Sequence, residues 1–430
     1  MTLTGRAAVA AVIGALIVLA FRNVAALVVV DAVILAAIAA DLLLAAPVRP
    51  LRLARAGDST IRLGQTGEVS LTVDNPSTRS LRGAVRDAWP PSTAARPARV
   101  RVSVPPGGRA RLATTLSPQR RGDFGAARVT VRSLGPLGFA ARQGSHQAPW
   151  SVRVLPPFTS RRHLPEKLAR LRQLDGQHRS LLRGQGSEFD SLREYVVGDD
   201  VRSIDWRSSA RRVDVMVRTW RPERDRRILI VLDTGRTSAG RVAGVPRLDT
   251  SMDAALLLAA LAARAGDRVE MIAVDRRVRA RVIGVGRSDV LPALTSAMAV
   301  LDAELIESDA GLVAATVLGI VRQRCLVVLL TDLNAAAIEE GLLPRIPALA
   351  ARHQVLVAAV ADPRLDEMAA ARGDAAAVYG AAAGERARAE RARISARLRR
   401  RGVEVVDAPP DRLPAALADA YLNLKAAGRL

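Results

Sequence analysis

The chain opens with an almost unbroken apolar stretch. Between residues 7 and 46, only four side chains are charged or strongly polar: Arg22, Asn23, Asp31 and Asp41. A membrane-spanning helix needs about 20 apolar residues, so the pattern predicts a transmembrane hairpin within residues 1–50, with spans at about 7–21 and 24–46. A cleaved signal peptide is the alternative. It fits less well because the apolar run continues past any cleavage site into a second one.

Arginines after the second span predict the orientation of this hairpin. Arg49, Arg52 and Arg55 follow the span closely, and such positive charge holds a flanking segment on the cytoplasmic side. We therefore expect an integral protein of the cytoplasmic membrane, with two spans and a large C-terminal body in the cytoplasm. Asp41 is expected near the membrane interface. Asp31 would be costly facing lipid, and a partner helix or a second copy of the hairpin would relieve that cost.

The pattern changes to a period of two in residues 51–156. Apolar and polar residues alternate in short runs separated by turns with Gly and Pro, as in Glu68–Val73 and Arg99–Val104. Several such runs predict an antiparallel, immunoglobulin-like β-sandwich domain, which we expect to be a spacer or docking module. The arginine-rich residues 157–186, weakly helical over Leu164–Leu174, are predicted to be a linker.

The C-terminal part alternates between strand and helix patterns. Arg227–Asp233 is an apolar run of the kind that is buried on both faces of a parallel sheet. Further strands are predicted at Val269–Val274, Cys325–Thr331, Val355–Val360 and Val403–Val406. Such alternation predicts an α/β fold with a doubly wound parallel sheet over residues 227–430.

Composition narrows the range of functions. The net charge is +22, but the arginines are spread along the chain and aromatic residues make up only 3%. Nucleic-acid surfaces usually combine clustered charge with stacking aromatics, so no nucleic-acid partner is expected. The single cysteine, Cys325, excludes a disulfide scaffold and a multi-cysteine metal site. Since the sequence shows no nucleophile–base motif, we expect a protein that is not an enzyme.

Two of the predicted strands end in or are directly followed by aspartate, at Asp233 and Asp332. Ligands bind at the carboxyl ends of the strands in open parallel sheets. Carboxylate and hydroxyl oxygens suit a hard cation such as Mg²⁺, and hydroxyls follow Asp233 at Thr237 and Ser238. Asp233, Thr237, Ser238 and Asp332 are therefore candidate metal ligands. The alternative is that Asp233 caps a helix or holds a loop.

These residues resemble the metal-ion-dependent adhesion site of von Willebrand factor type A domains. That family's pattern is Asp-x-Ser-x-Ser, with a threonine from another loop and a later aspartate after an apolar strand. The resemblance implies a von Willebrand A-like fold for residues 227–430, with Asp233 and Asp332 as the two aspartates.

The pattern is degenerate in this chain. Gly235 stands in place of the first serine and Thr237 in place of the second, and Ser288 is a guess for the separate threonine. Water, Thr234 or Ser238 would have to replace the missing hydroxyl. Otherwise, the site does not bind metal.

A second resemblance lies in residues 187–226, directly before the first strand of the α/β domain. Gly-Ser-Glu-Phe, Leu-Arg-Glu-Tyr and Gly-Asp-Asp-x-Arg-x-Ile-Asp-Trp follow one another closely there. This is similar to the signature of the "domain of unknown function 58" family. The signature residues are Glu188, Phe189, Arg193, Tyr195, Gly198, Asp199, Asp200, Arg202, Asp205, Trp206 and Arg211.

The resemblance also bears on function. Family members are similar to this chain in layout, are typically bacterial and are often encoded beside a MoxR-type AAA+ ATPase. It therefore implies a membrane-bound partner or substrate adaptor of such an ATPase in a chaperone-like assembly.

The signature supports two physical interpretations. In the first, its arginines pair with its carboxylates and lock the segment onto the sheet, with Phe189, Tyr195 and Trp206 packed beneath. In the second, the segment is a docking surface or a polar pocket for a partner or a phosphate. The sequence favours the structural interpretation.

Three functions follow from these patterns. The first is a non-enzymatic membrane adaptor whose α/β domain binds a protein partner, with or without Mg²⁺. The second is a cell-envelope scaffold that acts through its β-domain. The third is a metal-dependent hydrolase that uses Asp199, Asp200 and Asp205. The adaptor is the preferred hypothesis.

Overall fold

The computed structural model describes residues 1–181, 188–211, 214–221 and 226–430, without side chains for 175–181, 188–191 and 219–221. The chain divides into two compact units, Met1–Leu155 and Pro156–Leu430.

The first unit begins with two apolar helices that pack against each other, α1 (Gly5–Phe21) and α2 (Val24–Leu44). Arg22 adopts a left-handed conformation between them, and Asn23 caps α2 by accepting a hydrogen bond from the Ala25 N–H. The helices approach closely at Gly14, where a Cβ would lie 2.5 Å from a Val30 methyl group. By length and composition α2 is able to cross a membrane, with a mean hydropathy of 2.6. At 17 residues, α1 is a shorter apolar helix.

The rest of the first unit is built from short strands in three sheets. The strands are β1 (Thr2–Leu3), β2 (Arg52–Gly57), β3 (Thr60–Arg62), β4 (Gly67–Asp74), β5 (Leu81–Asp87), β6 (Val100–Val104), β7 (Arg109–Leu116), β8 (Gly122–Gly125), β9 (Val129–Leu134), β10 (Ala140–His146) and β11 (Ser151–Leu155). The sheets have the orders β1-β10-β9-β5-β6, β2-β4-β7 and β3-β11-β8. All pairs are antiparallel except β3 with β11. Inward residues of the first two sheets share one core cluster, which explains the period of two along these strands.

A buried ion pair lies within this β-rich part. The Arg55 side chain is fully buried and donates to Asp87, with an Nη2–Oδ1 distance of 2.6 Å. The second Asp87 oxygen accepts from Trp89 and Thr114. Arg55 is therefore part of this buried network. The sequence position after α2 predicted an exposed charge, and that prediction is wrong for Arg55.

Asp41 fixes the end of α2 to the turn between β9 and β10. Its side chain is fully buried and accepts from the backbone N–H groups of Leu137, Phe139 and Ala140 at 2.7, 2.5 and 3.0 Å. The same turn holds the start of α1, because the Thr4 N–H donates to the Phe139 carbonyl. The expected position of Asp41 near the membrane interface did not include this role in holding the turn. Asp31, on the same helix, is exposed.

The second unit alternates between strands and helices after an initial helix. Its helices are α3 (Leu164–Leu181), α4 (Trp206–Ser209), α5 (Arg236–Ala239), α6 (Arg247–Arg264), α7 (Val290–Ala299), α8 (Ala310–Ile320), α9 (Ile346–Ala350), α10 (Arg364–Ala370), α11 (Ala375–Arg400) and α12 (Leu413–Ala426), with a π-helical segment at Ala337–Leu342. Its strands are β12 (Glu188–Glu194), β13 (Met216–Arg221), β14 (Arg227–Asp233), β15 (Arg241–Val242), β16 (Val245–Pro246), β17 (Arg268–Val274), β18 (Val278–Val282), β19 (Leu326–Leu330), β20 (Gln354–Val360) and β21 (Glu404–Ala408).

The central sheet of this unit has the order β18-β17-β14-β19-β20-β21. Its strands are parallel except β18, which is antiparallel to β17. Alternate residues of β14 enter two different cores: Ile230 packs with residues of α6 and α12, and Val231 packs with residues of α8 and α11. Helices therefore cover both faces of the sheet, as the continuously apolar strands predicted. The edge strand β18 was not predicted.

The segment predicted as a linker is partly an ordered element of the second unit. Leu171 of α3 is buried in the core, and Leu164, Leu168 and Leu174 pack against it. The preceding turn is held by Asp253 of α6, which accepts from the Ser160 hydroxyl at 2.7 Å. The sequence predicted only a weak helix here, because the arginines among the leucines make the helical spacing of the apolar residues less clear.

We predict that Asp41→Ala destabilises the first unit. Three backbone donors would lose a charged acceptor in a buried position, at a cost of about 3 kcal/mol or more, which corresponds to a Tm lower by roughly 6–12 °C. The measurement is thermal unfolding of the detergent-solubilised chain. Asp31→Ala on the same helix is the control and should leave the Tm unchanged. Equal Tm values for the two variants would contradict this role of Asp41.

Candidate functional site

The two aspartates predicted at strand ends come together at the carboxyl edge of the central sheet. β14 and β19 are neighbouring parallel strands, with Ile228 opposite Leu326 and Leu232 opposite Leu330. Asp233 is the last residue of β14, and Asp332 lies two residues beyond β19. This is the edge at which open parallel sheets bind ligands.

Asp233 is the acceptor that holds three loops together. Its Oδ1 accepts from the Gly235 N–H at 2.8 Å and from the Ser308 hydroxyl. Its Oδ2 accepts from the Thr331 hydroxyl at 2.6 Å and from the Thr237 hydroxyl at 3.3 Å. Both oxygens are thus used within the protein.

The hydroxyls that reach Asp233 from separate loops belong to Ser308 and Thr331, whereas Ser288, the guess for the separate threonine, is exposed. Ser308 also explains the glycine at position 235, because a Cβ there would collide with the Ser308 Oγ and lie 2.9 Å from the Ile306 carbonyl oxygen. In the described part of the chain, the donors to Asp233 do not include the hydroxyl of Ser238, which is buried in α5. Nothing in the order of residues marks Ser308, since only the fold brings its loop to β14.

Asp332 is held by two arginines. Its Oδ1 lies 2.8 Å from Arg391 Nη1, and its Oδ2 lies 3.2 Å from Arg247 Nη1. Arg247 is the first residue of α6, and Arg391 lies in the middle of α11. The side chains of Asp332, Arg247 and Arg391 are 9%, 21% and 13% exposed, so these ion pairs are largely removed from water.

Arg391 also reaches the next two strands. It forms a fork with Asp407 of β21, with Nη2–Oδ1 and Nε–Oδ2 distances of 2.7 and 3.2 Å, and it donates to the Val360 carbonyl of β20. Burial alone would lower the pKa of Arg391, but the hydrogen bonds and charges of Asp407 and Asp332 outweigh it and the pKa is raised. Arg391 is therefore always charged.

The sequence pattern did not identify Arg391, because α11 reads as a solvated Ala/Arg/Glu helix. Ile394 and Leu398 on this helix are buried in the core. They lie three and seven residues after Arg391 and so share its helix face. This spacing is the signal that would have separated Arg391 from its solvated neighbours.

This arrangement does not fit a divalent cation. Asp332 already faces two guanidinium groups, which would repel a cation placed beside it. Both oxygens of Asp233 accept hydrogen bonds from the protein. Within the described residues, no group of three or more His, Cys, Asp or Glu side chains is placed to hold a metal ion.

The signature segment forms a second candidate site on the antiparallel pair β12–β13. Arg193 pairs with Asp199, with an Nη2–Oδ1 distance of 2.6 Å. That hydrogen bond and one from the Val196 N–H lower the pKa of Asp199. The intervening turn contains Gly198 at a φ of 109°, a conformation that favours glycine.

A second ion pair and two caps hold the remaining signature aspartates. Asp205 accepts from the Ser208 N–H at 2.9 Å and pairs with Arg218 at 2.7 Å, and these contacts lower its pKa. Asp200 accepts from the Arg202 N–H at 3.0 Å. The pairing of signature arginines with signature carboxylates is thus seen at Arg193. Arg211 is exposed at the end of α4.

The structural interpretation requires the aromatic residues of the signature to pack beneath it, and not all of them do. Trp206 is 67% exposed, and Tyr195 is half-buried. The side chains of Glu188 and Phe189 lie outside the described residues. Exposed valines precede Trp206 within the same segment, and we call these four residues the signature patch: Val196, Val197, Val201 and Trp206.

A sequence profile described as "Protein of unknown function DUF58" matches residues 191–406, which is half of the chain. The chain belongs to the DUF58 family. Uncharacterized proteins of Mycobacterium bovis and Mycobacterium tuberculosis are 28% identical to it over 193 residues, which cover 44% of this chain and 60% of theirs. The match thus spans less than two thirds of these curated relatives.

Solved structures give only weak likenesses to this DUF58 protein. The CARDB domain of the PF1109 protein from Pyrococcus furiosus covers 24% of the chain and is itself 91% covered, at 16% identity and a TM-score of 0.19. The RO (RSR) protein of Deinococcus radiodurans covers 46% of the chain and is 35% covered, at 15% identity and a TM-score of 0.22. Similarities at this level do not support a shared fold or function.

A cysteine–histidine contact in the DUF58 chain lies at the opposite edge of the sheet. Cys325 Sγ is 3.5 Å from His353 Nδ1, just before β19 and β20 begin. Burial raises the pKa of Cys325 to about 12. Because the thiolate is the nucleophile, this thiol is inert near neutral pH.

We predict that a serine at position 235 destabilises the DUF58 chain. Gly235→Ser forces a Cβ against Ser308 and should cost about 1–3 kcal/mol, measured by thermal unfolding. Gly286→Ser is the matched control, because the nearest neighbour of a Cβ there lies at 3.8 Å. It should stay within about 0.5 kcal/mol of the parent chain. A neutral Gly235→Ser would show that Ser308 does not occupy this space.

Proposed function

We propose that this DUF58 chain is a membrane-anchored, non-enzymatic adaptor that binds a protein partner through the signature patch. The patch carries the proposal. Val197 is 94% exposed and Trp206 is 67% exposed, within the segment that the family profile matches. Large apolar side chains that are exposed within one segment are candidates for an interaction surface, and tryptophan is among the residue types enriched in binding hot spots.

The ion pairs around the patch support a docking role. Arg193–Asp199 closes the turn that contains Val196 and Val197, and Arg218–Asp205 holds the residue directly before Trp206. A patch that is fixed in the free protein loses little conformational entropy on binding. Polar groups around an apolar centre are also the usual arrangement of a protein–protein interface. The structural and docking interpretations of the signature are therefore compatible.

Membrane anchoring by a two-span hairpin is supported by the exposed apolar surfaces of both helices. α2 is 21 residues long, or about 32 Å at 1.5 Å per residue, which matches the hydrocarbon core of a bilayer. The start of α1 and the end of α2 meet at the same β-turn, as a hairpin requires. With Arg55 buried, Arg49 and Arg52 are the exposed arginines after α2, and we propose that they keep the following units in the cytoplasm.

The order of the central sheet supports a von Willebrand A-like, doubly wound fold for residues 227–430. An antiparallel edge strand adjoins five parallel strands, and helices cover both faces. The family resemblance makes a MoxR-type AAA+ ATPase the expected partner. A hydrolase that uses the signature aspartates is less well supported, because Asp199 and Asp205 are already engaged by arginines.

We predict that replacing two apolar residues of the patch weakens partner binding. The purified full-length chain in detergent should bind the MoxR-type ATPase of the same organism, measured by biolayer interferometry. The double variant Val197→Ser/Trp206→Ser should bind at least about tenfold more weakly, because hot-spot residues each contribute on the order of 2 kcal/mol or more.

The control is the double variant Leu305→Ser/Tyr379→Ser, which removes apolar residues that are 82% and 78% exposed elsewhere in the same unit. It should bind like the parent chain. Failure of the parent chain to bind the ATPase would contradict the expected partner. Equal losses in the two double variants would contradict the patch as the binding surface.

A further inference from the structure

Apart from the signature patch, the carboxyl edge of the central sheet contains carboxylates whose charge must be neutralised. Asp332 and Asp407 follow or lie in strands of one parallel sheet, and both point at the same guanidinium group. Two carboxylates in a poorly solvated position need a cation between them. The sequence pattern predicts Mg²⁺ at Asp332, together with Asp233, and does not include Asp407.

Arg391 provides the coordination that a metal ion would provide. It binds one oxygen of Asp332 after β19, the carbonyl oxygen of Val360 in β20 and both oxygens of Asp407 in β21. The guanidinium group thus collects oxygen acceptors from three successive strands. Its planar fork matches a carboxylate in a way that a rounder cation does not.

Arg247 adds a second fixed charge on the other oxygen of Asp332. Its Nη1 atom lies 3.2 Å from Asp332 Oδ2. A Cβ on Gly240 would lie 3.0 Å from this atom and 3.4 Å from the Thr237 carbonyl oxygen, which places Arg247 beside the loop that follows Asp233. A divalent cation at this edge would therefore have to approach two guanidinium groups.

We propose that the cation of this site is built into the chain as Arg391 and Arg247, so that the domain folds without a divalent metal ion at this edge of the sheet. The loop that carries Asp233 is then organised by hydroxyl donors, and the loop that carries Asp332 is organised by arginine.

The test compares cation responses of the full-length chain and three variants of α11. The parent chain should show the same Tm in about 5 mM Mg²⁺, Mn²⁺ or EDTA, and no heat of Mg²⁺ binding in calorimetry. Arg391→Gln leaves Asp332 and Asp407 without their shared cation. It should lower the Tm by at least about 5 °C, and Mg²⁺ or Mn²⁺ should restore part of that loss by binding the folded state.

Arg388→Gln is the matched control, because Arg388 lies on the same helix and pairs with Asp366 and Glu385 on the surface. It should leave both the Tm and the cation response unchanged. Arg391→Lys keeps the charge and should be insensitive to metal even where its Tm is lowered.

Three results would overturn the proposal. The first is a parent chain whose Tm falls in EDTA or that binds Mg²⁺ at millimolar concentration. The second is an Arg391→Gln variant that matches Arg388→Gln in both measurements. The third is an Arg391→Gln variant that is destabilised but responds to cations no more than Arg388→Gln does, because Arg391 would then act through its shape and not through its charge.

Discussion

A carboxylate at the end of a buried parallel strand must find a positive charge or several hydrogen-bond donors, and the second unit of this chain is arranged around that constraint. Asp233 takes four donors from the loops around it. Asp332 takes Arg391 and Arg247. These contacts decide which loops meet at the carboxyl edge of the sheet. They also connect α6 and α11 to the strands, so the edge is held by charges that belong to the chain itself.

A similar constraint governs the first unit, where Asp41 accepts from three backbone N–H groups of the turn between β9 and β10. The contact joins α2 to the β-rich part without a free linker between them. A hairpin inserted in a membrane would therefore place this turn next to the bilayer surface. In the adaptor that we propose, this contact fixes the membrane hairpin to the β-rich part of the first unit. The signature patch lies in the second unit.

Periodicity was a good guide to the elements and a poor guide to their polar partners. β14 and β20 lie where their apolar runs predicted them, because strands buried on both faces show continuous hydrophobicity. The edge strand β18 escaped prediction, since it has exposed and half-buried positions and follows β17 after a short turn. The sequence predicts only a weakly helical linker at α3, because arginines separate its leucines.

In the candidate site, too, residues that local sequence identifies were predicted, and residues that long-range packing brings in were not. Asp233 and Asp332 were found from their places after apolar strands, since that position depends only on local sequence. Ser308, Arg247 and Arg391 were not found, because long-range packing brings them to the site. Arg55 shows the opposite error: its position after an apolar helix suggested a membrane-surface charge, whereas the β-rich core pairs it with Asp87.

The most direct test of the adaptor account is photo-cross-linking in intact cells. A photoreactive p-benzoylphenylalanine would replace Trp206 in the patch or, as a comparison, Tyr379 on another exposed surface. The account predicts that irradiation yields an adduct with a MoxR-type AAA+ ATPase from position 206 and none from position 379. The absence of any adduct at position 206, or the same adduct from both positions, would contradict the claim that the signature patch is the partner-binding surface.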